Sequence, residues 1–394
     1  IHFLIYILTN ILYYLIYLNK FLLPETMLMK ITCDKLPIQP NTTALKSLYN
    51  SLMPQASLDD FLYFDIETTG FSAKNSICYL IGCSFCQNGI YFYRQFFAEK
   101  PEEEKIIITE FLKLLSEYKY LVHFNGDGFD IPFLKERIRL LELSELSYIK
   151  SIDLFKAAKS VSRLLKLENY KQKTIEKFLG IHREDNAGGG ELIDVYKQFL
   201  TKGTLREDNN IEYSMLILHN RDDICALPAL SEILLYSLIK NISFFENIQY
   251  LINDTFDYGN SPVKELIVSA RLPICVNRTV SYGKEPFYIK LDRDTFRIRI
   301  RMYTGELKYF YKNYKDYFYL PDEDRSIHKS VAFYVDKNHR IQAKAATCYS
   351  KKSGLFLPQL RETETPHFKI EYNDTQTYFE ASEDFFSDKN RLLH

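Results

Sequence analysis

The chain has 394 residues, 46% of them hydrophobic, with 50 Lys plus Arg against 51 Asp plus Glu and a net charge of -1. That length suits two or three domains with cores of their own, and the near-zero balance excludes a uniformly basic surface of the histone kind, so any cationic region must be local. Seven scattered cysteines, an odd number, exclude a disulfide framework and read as reduced core thiols of a cytoplasmic protein. Cys83 and Cys86 have a metal-like spacing, but no second pair completes a zinc site.

In chain order, the first segment is "IHFLIYILTNILYYLIYLNKFLL", long enough to cross a membrane. It begins at Ile1, has no basic n-region or small-residue cleavage site, and carries Asn10 in its middle. The expectation is a hydrophobic leader over 1–26 outside the native fold, with the natural start at Met27 or Met29. A membrane anchor is the alternative, and Lys20, Lys30 and Lys35 would then hold the remainder in the cytoplasm. Residues 27–57 read as a lead-in rich in turn residues.

Alternating strand-like runs at 61–66, 76–86 and 89–97 then predict an antiparallel meander. The period turns helical at "KPEEEKIIITEFLKLLSEY", passes through a short buried strand in "KYLVHFNG", and is helical again in "FDIPFLKERIRLLEL". Four further segments up to "IEYSMLILHNRDDICALPALSEILLYSLI" keep helical spacing, giving an α/β domain over 58–240. From 241 to 394 the texture is one of short alternating runs, predicting a mostly β C-terminal domain. There Arg297, Arg299 and Arg301 share one strand face, with Phe296, Ile298 and Ile300 on the other. Between Arg271 and Arg361 the chain has 19 Lys plus Arg and 9 Asp plus Glu, a local net of +10. Interleaved with tyrosines, as in "ELKYFYKNYKDYFYL", that charge suits nucleic acid, or else an ordinary basic surface over a tyrosine-rich core.

The chemistry concentrates in three places. "FDIETTG" ends a strand with Asp65 and Glu67 on one face; they repel each other unless they share a divalent cation such as Mg2+ or Mn2+. Asp130 opens a helix just past the strand at 120–124. In "HNRDD", Asp223 follows His219 by four residues on one helical face, with Asp222 kept as an outlying partner. Four acids from three segments meeting at one sheet edge form the ligand set of a two-metal phosphodiesterase. Singly, an Asp-x-Glu is a solvated strand edge and "HNRDD" a charged turn; their order carries the inference. Gly70 and Gly126 read as turn residues, "AGGGELI" around Gly188 to Gly190 as a loop and helix start, His123 as a satisfied core histidine, and Lys171 and Lys173 as a solvated helix face.

"FDIETTG", "NGDGFD" and "HNRDD" resemble the three motifs of the DEDD exonucleases, and "LENYKQKTIEKFLGI" with "AGGGELIDVY" resembles the YprB-like branch of that superfamily. The resemblance covers about 58–240 and implies a ribonuclease-H-like mixed sheet flanked by helices. It implies Asp65, Glu67, Asp130 and Asp223 as ligands of two Mg2+ or Mn2+ ions, and His219 as the base for the attacking water. It implies activity on a nucleic-acid 3' end, and the leading expectation is a 3'-5' exonuclease acting on single-stranded or frayed ends of DNA or RNA, to which the basic, tyrosine-rich β domain would feed the strand. His219 to Asp223 departs from the family's His-type spacing by having the Tyr-type interval with His in the Tyr place. The competing reading is a non-catalytic nucleic-acid-binding protein of the same fold, and the presence of all four acids argues against it.

Overall fold

The computed structural model describes residues 29–145, 149–182, 189–202, 211–257 and 259–388. They fall into two units, the first taking in residues up to Ser162 and Lys166–Ser237, the second Arg163–Leu165 and the chain from Leu238. The hydrophobic leader lies outside the described residues, as does the start of "AGGGELI". Among the described residues no helix is long and apolar enough to cross a membrane.

The first unit is built on a six-stranded mixed sheet. Strand β2 (Phe61–Thr68) is its centre, because "FLYF" is apolar on both faces and is buried on both. It runs antiparallel to β3 (Cys78–Gln87), which turns at Asn88-Gly89 into β4 (Ile90–Phe97). This is the expected meander, and both turn residues have the positive φ that such a hairpin demands. On its other side β2 runs parallel to β5 (Tyr120–His123), which pairs in parallel with β6 (Lys150–Asp153).

Two elements of the sequence read as lead-in belong to this unit. Strand β1 (Lys30–Lys35) pairs with β4 over its whole length, giving the order β1-β4-β3-β2-β5-β6, and helix α1 (Thr42–Leu52) buries Leu45, Leu48 and Tyr49. Asn41 caps α1 by accepting from the Ala44 N–H at 3.1 Å.

Helix α2 (Glu104–Leu115) covers one face of the sheet with Ile107, Ile108 and Phe111, against which Phe64 and Ile66 pack. Helix α3 (Asp130–Leu140) is tied to it by a buried ion pair of Arg137 with Glu104. Glu104 also accepts from the Cys78 N–H at 2.8 Å, and Arg137 donates to the Ala73 carbonyl at 2.8 Å. A buried carboxylate that collects three donors is fully compensated, and in this arrangement it anchors the loop after β2 to the start of β3. Helices α4 (Leu154–Ser160), α5 (Gln172–Leu179) and α6 (Gly189–Lys202) follow, and α7 (Ile211–Leu230) crosses the sheet face opposite α2.

The second unit is mostly β. Strands β7 (Glu246–Phe256), β8 (Pro262–Arg271), β9 (Val280–Lys284), β10 (Phe287–Asp292) and β11 (Thr295–Arg301) form an antiparallel sheet in the order β7-β8-β11-β10-β9. Two three-stranded sheets follow, β12-β16-β17 and β14-β13-β15, from β12 (Tyr303–Phe310), β13 (Tyr317–Leu320), β14 (Arg325–His328), β15 (Ile341–Gln342), β16 (Tyr349–Gln359) and β17 (Thr377–Glu380). Leu266, Met302, Leu357, Phe379 and Phe385 form a core of this unit.

Candidate active site

Side chains alternate along β2, so Phe64 and Ile66 enter the core under α2 while Asp65 and Glu67 turn to the face crossed by α7. The register slips between Glu67 and Thr68, a bulge where β2 leaves its partner. Directly across from Asp65 on β3 is Gly82. A Cβ there would lie 2.1 Å from Asn220 Oδ1 and 2.9 Å from Ile224 Cγ2, so the missing side chain is what lets α7 come down onto the strand. Two residues on, Ser84 donates to the Ile224 carbonyl at 2.7 Å, and from β4 Gln95 donates to the Ile217 carbonyl at 3.0 Å.

Helix α7 thereby places His219 and Asp223, one turn apart, over β2. His219 Nε2 is 3.2 Å from Asp223 Oδ2 and 3.8 Å from Glu67 Oε1. Ligand atoms of these three residues all lie within 4.8 Å of one another. Asp222 is not one of these three; its carboxylate meets Arg221 at 3.3 Å. The helical period thus brings Asp223, rather than Asp222, to the acids of β2.

Asn220, fully buried, donates from Nδ2 to Asp65 Oδ2 at 3.1 Å, while its Oδ1 accepts from Gln95 Nε2 at 3.0 Å. A buried amide with both ends engaged fixes the rotamer of the carboxylate that it holds. Replacing Asn220 by Ala leaves the Gln95 amide and Asp65 short of a partner. The expected result is a loss of about 1 to 3 kcal/mol in urea unfolding together with weaker Mg2+ binding by calorimetry.

Asp130 arrives from a different direction. It is the first residue of α3 and is 6% exposed, and its Oδ1 accepts from the Ile66 N–H at 3.4 Å. The turn before it is held from beneath. Asp153 Oδ1 accepts from the Asn125, Phe155 and Lys156 N–H groups at 3.0, 3.0 and 3.2 Å, capping α4 and pinning Asn125 in its left-handed conformation (φ 61°). His123 Nδ1 accepts from the Gly126 N–H at 3.0 Å, so the proton is on Nε2, which donates to Ser151 Oγ at 2.7 Å; Ser151 in turn donates to Asp127 at 2.5 Å. Burial depresses the His123 pKa, in keeping with this neutral form. His123 is therefore a satisfied core histidine, and Gly126 a close-approach glycine whose Cβ would sit 2.7 Å from the ring.

Electrostatics makes the gathering of acids costly. Burial, and then the charges of Asp130, Asp223 and Glu67, push the Asp65 carboxyl well above the usual range. Burial raises Asp130 to about 7, against the pull of backbone N–H groups and with the push of Asp153 and Asp223. The four acids named from the sequence thus share one electrostatic site, fed by β2, α3 and α7.

Residues 62–235 match a family model described as the RNase_H superfamily. This part of the chain has a ribonuclease-H-like fold. No curated protein matches the sequence. Among solved structures, an apo exonuclease I is 12% identical over 37% of this chain and 42% of that one, with a TM-score of 0.28. Exonuclease I of E. coli in complex with a dT13 oligonucleotide is 13% identical over 53% and 54%, with a TM-score of 0.29. The family B DNA polymerase of Pyrobaculum calidifontis is 13% identical over 65% and 35%, with a TM-score of 0.30. The matched regions span less than two thirds of each of these proteins.

In this ribonuclease-H-like domain the donor set itself tests whether a cation fits. Asp65, Glu67, Asp130 and Asp223 offer hard carboxylate oxygens, and at Asp65 and Asp130 burial and like charge oppose ionisation, which is the chemistry that Mg2+ or Mn2+ reverses. The residues that the sequence left unremarked are the supports: Gly82, Gln95, Asn220 and Asp153. Gly82 and Ser84, two apart in an otherwise bulky buried strand, were the visible sign of a helix packed close.

Proposed function

We propose that the chain is a metal-dependent nuclease, a 3'-5' exonuclease acting on single-stranded or frayed ends of DNA or RNA. The observation that carries this reading is the convergence of Asp65, Glu67, Asp130 and Asp223, from three segments far apart in sequence, with His219 among them. The 3'-5' direction follows from the likeness of "FDIETTG", "NGDGFD" and "HNRDD" to the DEDD motifs.

The four carboxylates would hold two Mg2+ or Mn2+ ions, which, when bound, supply a more acidic water and neutralise charge on the phosphodiester. His219 would accept the proton of the attacking water at Nε2, the nitrogen that faces the carboxylates of Asp223 at 3.2 Å and Glu67 at 3.8 Å, beside which the metal-held water would lie. Asn220 keeps Asp65 from turning away. The Gly126–His123–Ser151 ladder holds the turn that presents Asp130.

The test is degradation of 5'-labelled single-stranded DNA and RNA with Mg2+, Mn2+ or chelator. A ladder shortening from the 3' end and abolished by chelator supports the reading, and retention of full-length strands in every lane overturns it in favour of a binding protein. Replacing His219 by Asn is expected to slow the ladder by about 10²- to 10⁴-fold, the usual weight of a general base, with strand affinity in chelator unchanged. An unchanged rate would remove His219 from the mechanism.

A further inference from the structure

The positive charge between Arg271 and Arg361 gathers in part on one sheet face. On β11, Phe296, Ile298 and Ile300 lie on one side, where Ile300 packs with Leu266 and Val268 of β8 against the core. Arg297, Arg299 and Arg301 lie on the opposite side, and the register adds Lys290 across from Arg297 and Tyr288 across from Arg299. Like charges directly opposite each other weaken a sheet, so the Lys290–Arg297 pair does nothing for the fold. Acids offset part of the face: Asp292 meets Lys290 at 2.8 Å, Glu265 lies 3.9 Å from Arg299, and Asp257 and Glu285 meet Arg301 at 2.9 and 3.8 Å. Arg297 is exposed and has Ser269 Oγ at 3.4 Å.

Beside these cations is an aromatic–guanidinium pair. The guanidinium of Arg299 sits over the Tyr288 ring at 4.5 Å. Tyr288 in turn lies across Gly283 of β9, where a Cβ would come within 3.1 Å of the ring. Glycine at that place lets an aromatic ring lie down on the sheet. An aromatic ring paired with a guanidinium and flanked by two cations is what a single strand of nucleic acid engages, bases by stacking and phosphates by charge, without regard to sequence.

We propose that this face of the five-stranded sheet binds a single strand of nucleic acid, with a base on the Tyr288–Arg299 pair and phosphates on Lys290 and Arg297. The proposal deepens the nuclease reading and rests on it for the class of partner.

The test uses the full chain, metal-free in chelator so that nothing is cut, and a 5'-labelled dT20 followed by anisotropy from 50 to 300 mM NaCl. Tyr288→Ala is expected to weaken binding by about 5- to 150-fold, the worth of one stacked base, with Tyr288→Phe retaining it. The double variant Lys290→Glu with Arg297→Glu is expected to lower the slope of log affinity against log salt by about 1.4. Affinity and slope unchanged in these variants, with melting temperatures like the parent's, overturn the proposal. So does a loss seen only with the charge variants and matched on polyglutamate-labelled probe, which would leave a surface for acidic chains in general. Cleavage by the unaltered chain is scored separately. Binding that depends on Tyr288 without any cleavage leaves the binding face standing and sinks the nuclease, whereas cleavage with binding indifferent to Tyr288 does the reverse.

Discussion

Replacing Asp65 by Asn is expected to abolish metal-dependent cleavage, by about 10³-fold or more, and at the same time to make the metal-free protein harder to unfold. The first effect follows because the carboxylate at the centre of the acids is the one that the others and Asn220 surround, and a lost ligand removes several kcal/mol of transition-state stabilisation. The second follows from the same geometry. Without a cation Asp65 is a half-buried acid facing Asp130, Asp223 and Glu67, and its neutral replacement relieves like-charge repulsion and desolvation of about 1 to 3 kcal/mol. The pH dependence has a definite sign. Asp65 is held well above its ordinary value and Asp130 is raised to about 7, so between pH about 4 and about 7 the folded chain binds more protons than the unfolded one. Stability of the metal-free protein therefore falls as pH rises through that window, and Mg2+, which binds the ionised form, should offset the fall. Urea midpoints at pH 5 and pH 7.5, with chelator or Mg2+, read both effects. Equal midpoints at the two pH values in chelator, or an Asp65→Asn variant less stable than the parent there, would mean that the acids are not crowded as described.

Much of this site is legible in the sequence because strand and helix periods are local rules. Alternation along "FLYFDIET" puts Asp65 with Glu67 and Ile66 with the core, and a four-residue interval puts Asp223 rather than Asp222 beside His219. What escapes is whatever depends on a partner distant in the chain. Strand β1 has only a modest apolar pattern in "KITCDK" and exists because β4 offers a free edge, and β6 has four residues with Asp153 buried as a cap and Ile152 half-buried. Asn220 stands inside a motif read for its acids, yet its amide faces Gln95, 125 residues away. In the second unit the alternation of Arg297, Arg299 and Arg301 is plain, but the register that sets Lys290 and Tyr288 beside them is not.

Gly82 gives the second large expected effect, one that separates stability from placement of the site. In Gly82→Ala the new Cβ meets Asn220 Oδ1 at 2.1 Å and Ile224 at 2.9 Å, and Asn220 cannot swing aside because Asp65 and Gln95 hold both ends of its amide. The helix must lift, carrying His219 and Asp223 off the acids of β2. Overpacking of this kind costs about 1 to 3 kcal/mol, and a displacement of about 1 Å at reacting groups costs about 10²-fold in rate. Gly89→Ala is the matched control. At φ 80° it strains the β3–β4 turn by about 1 kcal/mol, but its Cβ would meet nothing within 4 Å, so the rate should hold while stability drops. Adding Asn220→Ala to Gly82→Ala removes the group that is struck, so the two stability losses should fall short of their sum by at least about 0.5 kcal/mol. Strict additivity, or a Gly89→Ala variant as slow as Gly82→Ala, would show that the close approach of α7 to β3 is not what sets the distance between His219, Asp223 and the carboxylates of the central strand.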